Sequence, residues 1–495
     1  GELDRVMEEG FIPTPPGQPV REEMLSSFKD AVAAYPAHVG ANVELLLDLA
    51  DLGRWHQMLN DARRFAWASQ GHPYGLLLSG LALHRMGRSD EAMEDFELAL
   101  HGLPEDEARL LTDVRPLLSA DERRDLESLQ GEARRKAESR FWRRLDPILL
   151  TEVNEREVEH LARATYAWLR FGGIDTDAGD VWVRYGRPLA VRTLGGDTGV
   201  RTEFWDYGRG PDLTFRRPAV STDLDLTPEA GAYLEEVGQN LLHRYGRQSR
   251  LVVPLEAQVG RFRASDDRRG EVTLATRVPE ALATGGEDSL QLGLFVLGPD
   301  GERISETRRL IPARASAVRM EAPVPRGASV VALEMYHPTL RQVGVVRSRV
   351  SREPSEGEDP RISDILLVEP ATPLTRDIRR DEAWIIPRTD PGDVSGSDVG
   401  LLFELYDVAP VGAYYRMRVE LEPRDGGRRV AVPYRPSGTE RFGDEWPRTS
   451  AGKGPITEFL TLDLEDVGPG RYTLRLTVDP AGGGGPILVE RPVRR

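Results

Sequence analysis

Apolar and polar residues change their rhythm twice along this chain. From about residue 21 to residue 140 the apolar positions recur at helical spacing. The first twenty residues carry Pro13, Pro15, Pro16 and Pro19, which suit an extended arm better than a regular helix. Ser119 with Glu122 forms a capping-box pattern and predicts a long helix running towards Phe141. Asn154 with Glu157 predicts a second start, followed by Val158, Leu161, Thr165 and Trp168 on one helical face, a core stripe. The period then becomes two. Val181, Val183 and Tyr185 alternate with Trp182 and Arg184, which predicts a short strand ended by Gly186 and Pro188. Leu189–Thr193, a Gly195-Gly196-Asp197 turn and Thr202–Tyr207 continue it as a meander. This middle region therefore reads as α+β, two helices against a small antiparallel sheet.

Beyond about residue 249 the pattern is almost wholly β. Val272, Leu274 and Thr276 alternate, as do Leu290, Leu292, Leu294 and Val296, with a Pro299-Asp300-Gly301 turn after them. A second set holds Tyr415, Met417, Val419 and Leu421, then Leu460, Leu462 and Leu464, then Tyr472, Leu474, Leu476 and Val478. Short strands between Gly/Pro turns predict two antiparallel β-sandwiches, and Pro469-Gly470-Arg471-Tyr472 is similar to a strand start in immunoglobulin-like modules. The expected organisation is an arm over 1–20, helices over 21–140, an α+β domain over 141–248, a sandwich over 249–351, a linker over 352–360 and a sandwich over 361–495.

The helical region also repeats. Gly53 and Gly87 are 34 residues apart, while Phe28 and Phe96, Ala31 and Ala99, and Pro36 and Pro104 are separated by twice that period. Within 72–104, the positions of Gly80, Gly87, Ala92, Phe96, Ala99 and Pro104 resemble those of the small and aromatic packing residues in a tetratricopeptide repeat. Small residues let two antiparallel helices approach closely, and the aromatic fills the gap to the next pair. A degenerate neighbour occupies about 37–70.

Composition narrows the function. A chain of 495 residues with 39% hydrophobic and 29% charged residues supports several cores. The net charge of −16 argues against an extended nucleic-acid surface, which needs concentrated positive charge. The Lys and Arg residues are all Arg apart from Lys29, Lys136 and Lys453, a bias that fits base composition and carries no inference about phosphate binding. With no cysteine, disulfides, thiolate metal sites and a Cys nucleophile are excluded. No stretch approaches the roughly 18–20 apolar residues that cross a bilayer. The chain starts at Gly1, so we expect a leader that has been removed or lies upstream.

The densest local signal is Gly172–Pro188. It joins a double-glycine bend, three close aspartates and an aromatic segment. Together with Phe141-Trp142 and Asp146-Pro147 before it and Glu203-Phe204-Trp205-Asp206-Tyr207 after it, this stretch resembles the GWxTD-domain family of bacteria. The resemblance covers about residues 141–218. It departs at the motif's tryptophan, where this chain has Ile174 in Gly173-Ile174-Asp175-Thr176-Asp177; if that ring touched a ligand in relatives, the contact is lost here, and if it only filled a core, Ile substitutes with repacking. The resemblance implies a bacterial, extracytoplasmic protein and no established activity.

Three chemistries compete for the aspartates. Asp175, Asp177 and Asp180 offer clustered oxygens to a divalent cation, but Gly179 and Gly186 stand where an EF-hand loop needs ligands. An acid/base pair suits glycoside hydrolysis. Turn chemistry, in which Asp side chains accept from nearby amides before the strand, is the simplest. Trp182, Trp205 and Tyr207, with Arg184 and Asp206, form either an aromatic surface for a sugar or peptide or a packed core. The eight histidines make no HxH or HExxH spacing, Gly452-Lys453-Gly454 is an incomplete phosphate loop, and no GxSxG occurs. No catalytic residue, metal ligand or cofactor is assigned. Asp175, Asp177, Trp182, Arg184, Trp205 and Tyr207 are the candidate ligand or partner surface. We expect a non-enzymatic interaction or assembly protein of the bacterial envelope or surface, with protein partners or self-assembly and a possible polysaccharide ligand. The alternative is an envelope hydrolase of polysaccharide or peptide, with its site near Asp175–Tyr207.

Overall fold

The computed structural model describes residues 18–195, 201–208, 212–217, 224–238, 252–263, 270–283, 288–325, 328, 330–349, 361–370, 392–408, 410–450, 455–480 and 485–495. The chain divides into two compact units, 1–249 and 250–495. The first is mainly helical and the second is β-rich. The proposed linker 352–360 and most of the proline arm lie outside the described residues. Residues 18–20 belong to the first helix, with Pro19 in its opening turn, where a missing N–H leaves no bond unmade.

The first unit begins with α1 (Gln18–Ala34), α2 (Val39–Asp51), α3 (Trp55–Ala68), α4 (Pro73–Arg85) and α5 (Ser89–Gly102). Two helix pairs, α2/α3 and α4/α5, share the same punctuation. Each first helix is capped by a histidine whose Nδ1 accepts a backbone N–H, from Ala41 to His38 at 3.1 Å and from Tyr74 to His72 at 3.3 Å. Each pair turns through a left-handed glycine, Gly53 at φ 68° and Gly87 at φ 73°, a conformation that carries no Cβ penalty there. Gly80 permits the close approach inside the second pair, since a Cβ at that position would lie 2.8 Å from the Phe96 ring. Ala92, Phe96 and Ala99 are fully buried.

After α6 (Glu105–Leu111) come α7 (Ala120–Ser128), α8 (Gly131–Leu145), α9 (Glu155–Phe171) and α10 (Asp177–Tyr185). The Ser119–Glu122 capping box is present in both directions. The single long helix expected from it is instead two, because Leu129 and Gln130 are extended and Gly131 turns at φ 58°. Asn154 caps α9, accepting from the Arg156 N–H at 2.9 Å, and its amide donates to the Trp142 carbonyl at the end of α8 at 2.7 Å. One apolar core runs from Leu25 to Val183, across the expected boundary at 140/141.

A four-stranded sheet follows, in the order β1 (Ala190–Gly195), β2 (Arg201–Asp206), β3 (Leu213–Arg217) and β4 (Asp225–Leu226), with α11 (Pro228–Gly238) after it. All its pairings are antiparallel, and Ala190 faces Asp206 in the first hairpin. Its inner face, with Trp205, Leu213 and Phe215, packs on Ala178, Val181 and Tyr185 of α10.

In the second unit, β5 (Val252–Pro254), β6 (Ala257–Arg263), β7 (Gly270–Arg277) and β8 (Ser289–Leu297) lead into β9 (Arg303–Pro312), β10 (Ala317–Val324), β11 (Val330–His337) and β12 (Gln342–Arg349). They form a sheet β10-β7-β6 and a sheet β5-β12-β11-β8-β9. Leu274 and Met320 of the first and Leu292 and Leu333 of the second share one core. The set is not purely antiparallel, because β5 runs parallel to β12. A second pair of sheets encloses another core that includes Leu401, Tyr415, Leu460 and Leu476. The two pairs are joined by a dry cluster of Phe262, Leu366, Val368, Leu402 and Phe459. Beside it the Gln258 amide reproduces a strand pairing, donating to the Leu367 carbonyl at 2.8 Å and accepting from the Leu367 N–H at 2.6 Å.

Candidate functional site

The segment 177–185 is a helix, not the strand that its alternation predicts. Ala178, Val181, Trp182 and Tyr185 stand at i, i+3, i+4 and i+7, so a helical stripe was present in the same residues. Local chemistry decides in its favour. Gly172 ends α9 in a left-handed conformation at φ 78°. Thr176 then caps α10, its Oγ1 accepting the Gly179 N–H at 3.1 Å and donating to the Gly173 carbonyl at 3.1 Å. Gly179 is required by contact, since a Cβ would lie 2.0 Å from the Gly173 oxygen. Asp177 and Asp180 stand in the first turn, where the helix dipole favours negative charge.

The three aspartates go to different places. Asp175 is exposed. Asp177 accepts the Leu226 N–H of β4 at 2.7 Å. Asp180 pairs with Arg184 at 2.9 Å, one turn later on the same helix. Burial raises the Asp180 carboxyl above its ordinary range, against the pull of Arg184. Among the described residues no group of three or more His, Asp or Glu is placed to hold a metal ion.

The aromatic surface is corrected by burial. Trp205 is 2% exposed and its Nε1 donates to Glu203 at 3.2 Å. Tyr207 is also buried and donates to the Gly186 carbonyl at 3.0 Å. Trp182 is half-buried on α10 and stacks on Tyr166 at 4.2 Å between ring centres. Phe171 makes edge and tilted contacts with Trp182 and Trp205. These rings form the wall between α9, α10 and the sheet. Ile174, at the motif's aromatic position, is 3% exposed in the helical core, so here that position fills space.

What the structure gathers instead is a cleft lined by α2, the start of α3, α4, α9, α10 and the turn after α10. Its floor is polar and internally bonded. Arg163 donates to the carbonyls of Val183 and Arg184 at 3.1 and 3.0 Å, answering the C-terminal end of α10. The same guanidinium pairs with Glu159, which also accepts from Arg156 at 3.0 Å. Gly186 lies against it at φ 73°, and a Cβ there would sit 3.0 Å from Arg163 Cζ. Arg187 donates to the Asp51 carbonyl at 2.7 Å, closing the end of α2. Asp51 holds Tyr166 and Arg170 through its carboxylate, and Arg170 also meets Asp48 at 3.2 Å. The phenol of Tyr166 is raised well above its ordinary range by burial and then by Asp51.

His84 completes the lining. Burial, then the nearby Arg85, Arg163 and Arg156, lowers its imidazole to about 3, so it is neutral at ordinary pH, and its Nδ1 is sealed without a partner among the described residues. His160, behind α9, is lowered to about 4, chiefly by burial. Glu157 behaves oppositely. It is pushed up to about 7 by burial and then by Glu97 and Asp146.

The reading of residue patterns found Trp182 and missed Asp51, His84, Glu159, Arg163 and Arg187. One signal was available. Arg156, Glu159, Arg163 and Arg170 stand at i, i+3, i+7 and i+14 on α9, a charged stripe beside the apolar one. On an exposed helix that stripe would face solvent. Here Arg156, Glu159 and Arg163 are all buried.

No family model matches this chain, and no curated protein does. Solved structures with some similarity include red sea bream transglutaminase, at 11% identity over 66% of this chain and 44% of that one, with a TM-score of 0.15. An anti-sigma factor domain-containing protein matches at 9% identity over 48% of this chain and 97% of its own, with a TM-score of 0.14. A calcium-binding mutant of Bacteroides uniformis beta-glucuronidase 2 matches at 11% identity over 47% and 27%, with a TM-score of 0.15. Likenesses this weak carry no argument about fold or function.

Proposed function

We propose that this chain is a non-enzymatic interaction or assembly protein of the bacterial cell envelope or surface. Its helical region is read as tetratricopeptide-like repeats and its middle region as GWxTD-like, with β-modules that display further surface. The carrying observation is that, in the region Asp175–Tyr207 where a hydrolase reading places its site, the described aspartates and aromatic rings do not converge on one space. Its Trp205 and Tyr207 are buried, and Asp177 and Asp180 are each tied to a separate partner. Paired carboxylates need a shared space for water or substrate, and these carboxylates bond to different elements.

The repeat reading is supported by the matched caps at His38 and His72, the matched glycine turns at 53 and 87, and the Gly80–Phe96 contact. In such arrays the first helices of the pairs form the usual binding face. Here α9 packs against α2 and α4, so partners are expected on other surfaces. Trp67 is 85% exposed on α3, and Tyr35 is 61% exposed before α2; single exposed rings are common on any surface, and these two are convenient positions at which to look for contacts. The extracytoplasmic location rests on the family resemblance. No described helix is long and apolar enough to cross a membrane.

The test is the size of the protein recovered from its own source, with crosslinking to locate contacts. The proposal predicts a larger assembly, self-associated or bound to a protein or polysaccharide partner, with crosslinks at exposed positions such as Trp67. A clean monomer that turns over envelope glycan or peptide, and loses that activity in Asp175→Asn, overturns it.

A further inference from the structure

β9 leaves one side of the second unit open. It ends the sheet β5-β12-β11-β8-β9, and among the described residues no strand pairs with its far edge. β10 meets it at Ser305, whose Oγ donates to the Pro323 carbonyl at 3.2 Å. From Glu306 to Leu310 every residue is exposed, although alternate positions of a sandwich strand ordinarily face the core. Leu310 is 69% exposed and Ile304 40%. A ten-residue edge of this kind presents a row of backbone donors and acceptors to any strand that can lie beside it.

The order of side chains along β9 selects that strand. When a strand pairs with its own copy about a two-fold axis, residue i lies opposite j and j opposite i, and opposite residues share a face of the sheet. Centred on Thr307, the pairing sets Glu306 opposite Arg308 twice, Ser305 opposite Arg309, and Ile304 opposite Leu310. Centres on Glu306, Arg308 or Arg309 each set a charge against its own copy. Opposite charges facing each other across two strands stabilise the pair, and like charges destabilise it. Within one chain Glu306 already lies 3.4 Å from Arg308, and the Arg308 guanidinium lies over the buried Phe295 ring at 5.9 Å. Pairing keeps these contacts and closes a square in which two Glu306 and two Arg308 side chains alternate. Positions 305–309 are also clear of the register irregularity at Val296/Leu297 that sets Arg303 apart. Charged edges usually keep other strands away; here the charges exclude the neighbouring registers and admit one.

We propose that two copies of this chain associate through β9, antiparallel about Thr307, so that two five-stranded sheets become one continuous sheet. Such an edge buries less than the roughly 1,200 Å² of a standard interface, so the dimer is weak and reversible. The proposal names a surface and a partner for the assembly reading above, on which it rests.

Sedimentation equilibrium of the full chain tests it. At about 0.15 M salt the Debye length is about 8 Å, which screens the repulsion between two chains of net charge −16 and leaves the facing pairs in control. The native chain should dimerise with Kd below about 0.3 mM. Arg308→Glu and Glu306→Arg each set like charges opposite and should each weaken the dimer at least about tenfold. They change the net charge in opposite directions, so a common loss cannot come from net charge. An equimolar mixture of the two variants should form a mixed dimer of near-native affinity, and the double variant should pair with itself. Both positions are exposed, and unchanged far-ultraviolet dichroism checks that each variant folds. A monomer at about 0.3 mM, a dimer that neither single variant weakens, or failure of both the mixture and the double variant to recover pairing overturns the proposal. An assembly in the native source that persists in Arg308→Glu also overturns it while sparing the assembly reading. A β9 dimer that turns over envelope glycan or peptide supports it and sinks the non-enzymatic reading.

Discussion

The contact between α4 and α5 and the contact between α9 and α10 solve one problem with opposite materials. In the first, Gly80 and Ala99 remove side chains so that Phe96 can fill the space between two helices. The contact depends on shape, and one hydrogen bond accompanies it, from Ser79 to Asp95 at 2.5 Å. In the second, a buried guanidinium enters the junction, and Arg163 joins Glu159 on its own helix to two carbonyls in the last turn of its neighbour. Shape complementarity tolerates modest change, with a penalty that grows with the misfit. A buried charge is held by every partner at once, so losing one leaves the rest uncompensated. The polar joint is therefore the more brittle of the two.

That difference sets the order of expected effects. Arg163→Ala leaves Glu159 buried beside Arg156 and removes two carbonyl partners, and should destabilise the first unit by about 3–5 kcal/mol in denaturant unfolding. Ala99→Leu overpacks the α4/α5 contact and should lower stability by about 1–3 kcal/mol. If Ala99→Leu proves the more damaging, the comparison is reversed; if it has no effect, the 34-residue register is wrong.

The pH response adds a second handle on α9, which carries shifted groups outside the joint itself. Glu157 is raised from an ordinary 4.5 to about 7, so the folded chain binds that proton more tightly than the unfolded chain. Its contribution to stability is present below about 4.5 and is lost as pH rises through about 7. Glu157→Gln should therefore stabilise the protein at about pH 8 relative to about pH 5, by about 1–2 kcal/mol after allowance for partial exposure. A denaturation midpoint that shifts equally at both pH values would contradict the assignment. His84 and His160 act in the other direction. Their contribution is present above 6.5 and is lost as pH falls towards about 3 and about 4.

The smallest effect belongs to the cap. Thr176→Ala removes the Oγ1 that accepts the Gly179 N–H and should lower stability by about 1 kcal/mol. A loss as large as that of Arg163→Ala would mean that the bend, and not the guanidinium, holds α10 in place.

These materials also explain what could be read from residue order. Small-residue packing recurs at a fixed offset, so Gly80, Phe96 and Ala99 announce themselves along the chain, as do the glycine turns at 53 and 87. The β-region is legible for the same reason: Leu290, Leu292, Leu294 and Val296 alternate and lie fully buried in β8. The polar joint has no such period. Arg163 meets Val183 and Arg184 twenty and twenty-one residues away, and Arg187 meets Asp51 across 136. Nothing local in either segment signals those bonds. The strand expected at 181–185 failed for a related reason, since nine residues with apolar positions 178, 181, 182, 183 and 185 satisfy both periods, and the Thr176 cap and the Gly179 contact decide between them. The aromatic surface failed because Trp205 and Tyr207 find indole and phenol partners inside, at Glu203 and Gly186.

The central claim is that the buried charges make the helical pairs and the motif helix one cooperative unit. Native-state hydrogen exchange of the full chain, in the native protein and in Glu159→Gln, tests it most directly. The variant removes the carboxylate charge that both Arg156 and Arg163 use. If the claim is right, amides of α4 and of α10 lose protection together and by the same factor. Loss confined to α10, with α4 unchanged, would show two separately stable parts and contradict the account.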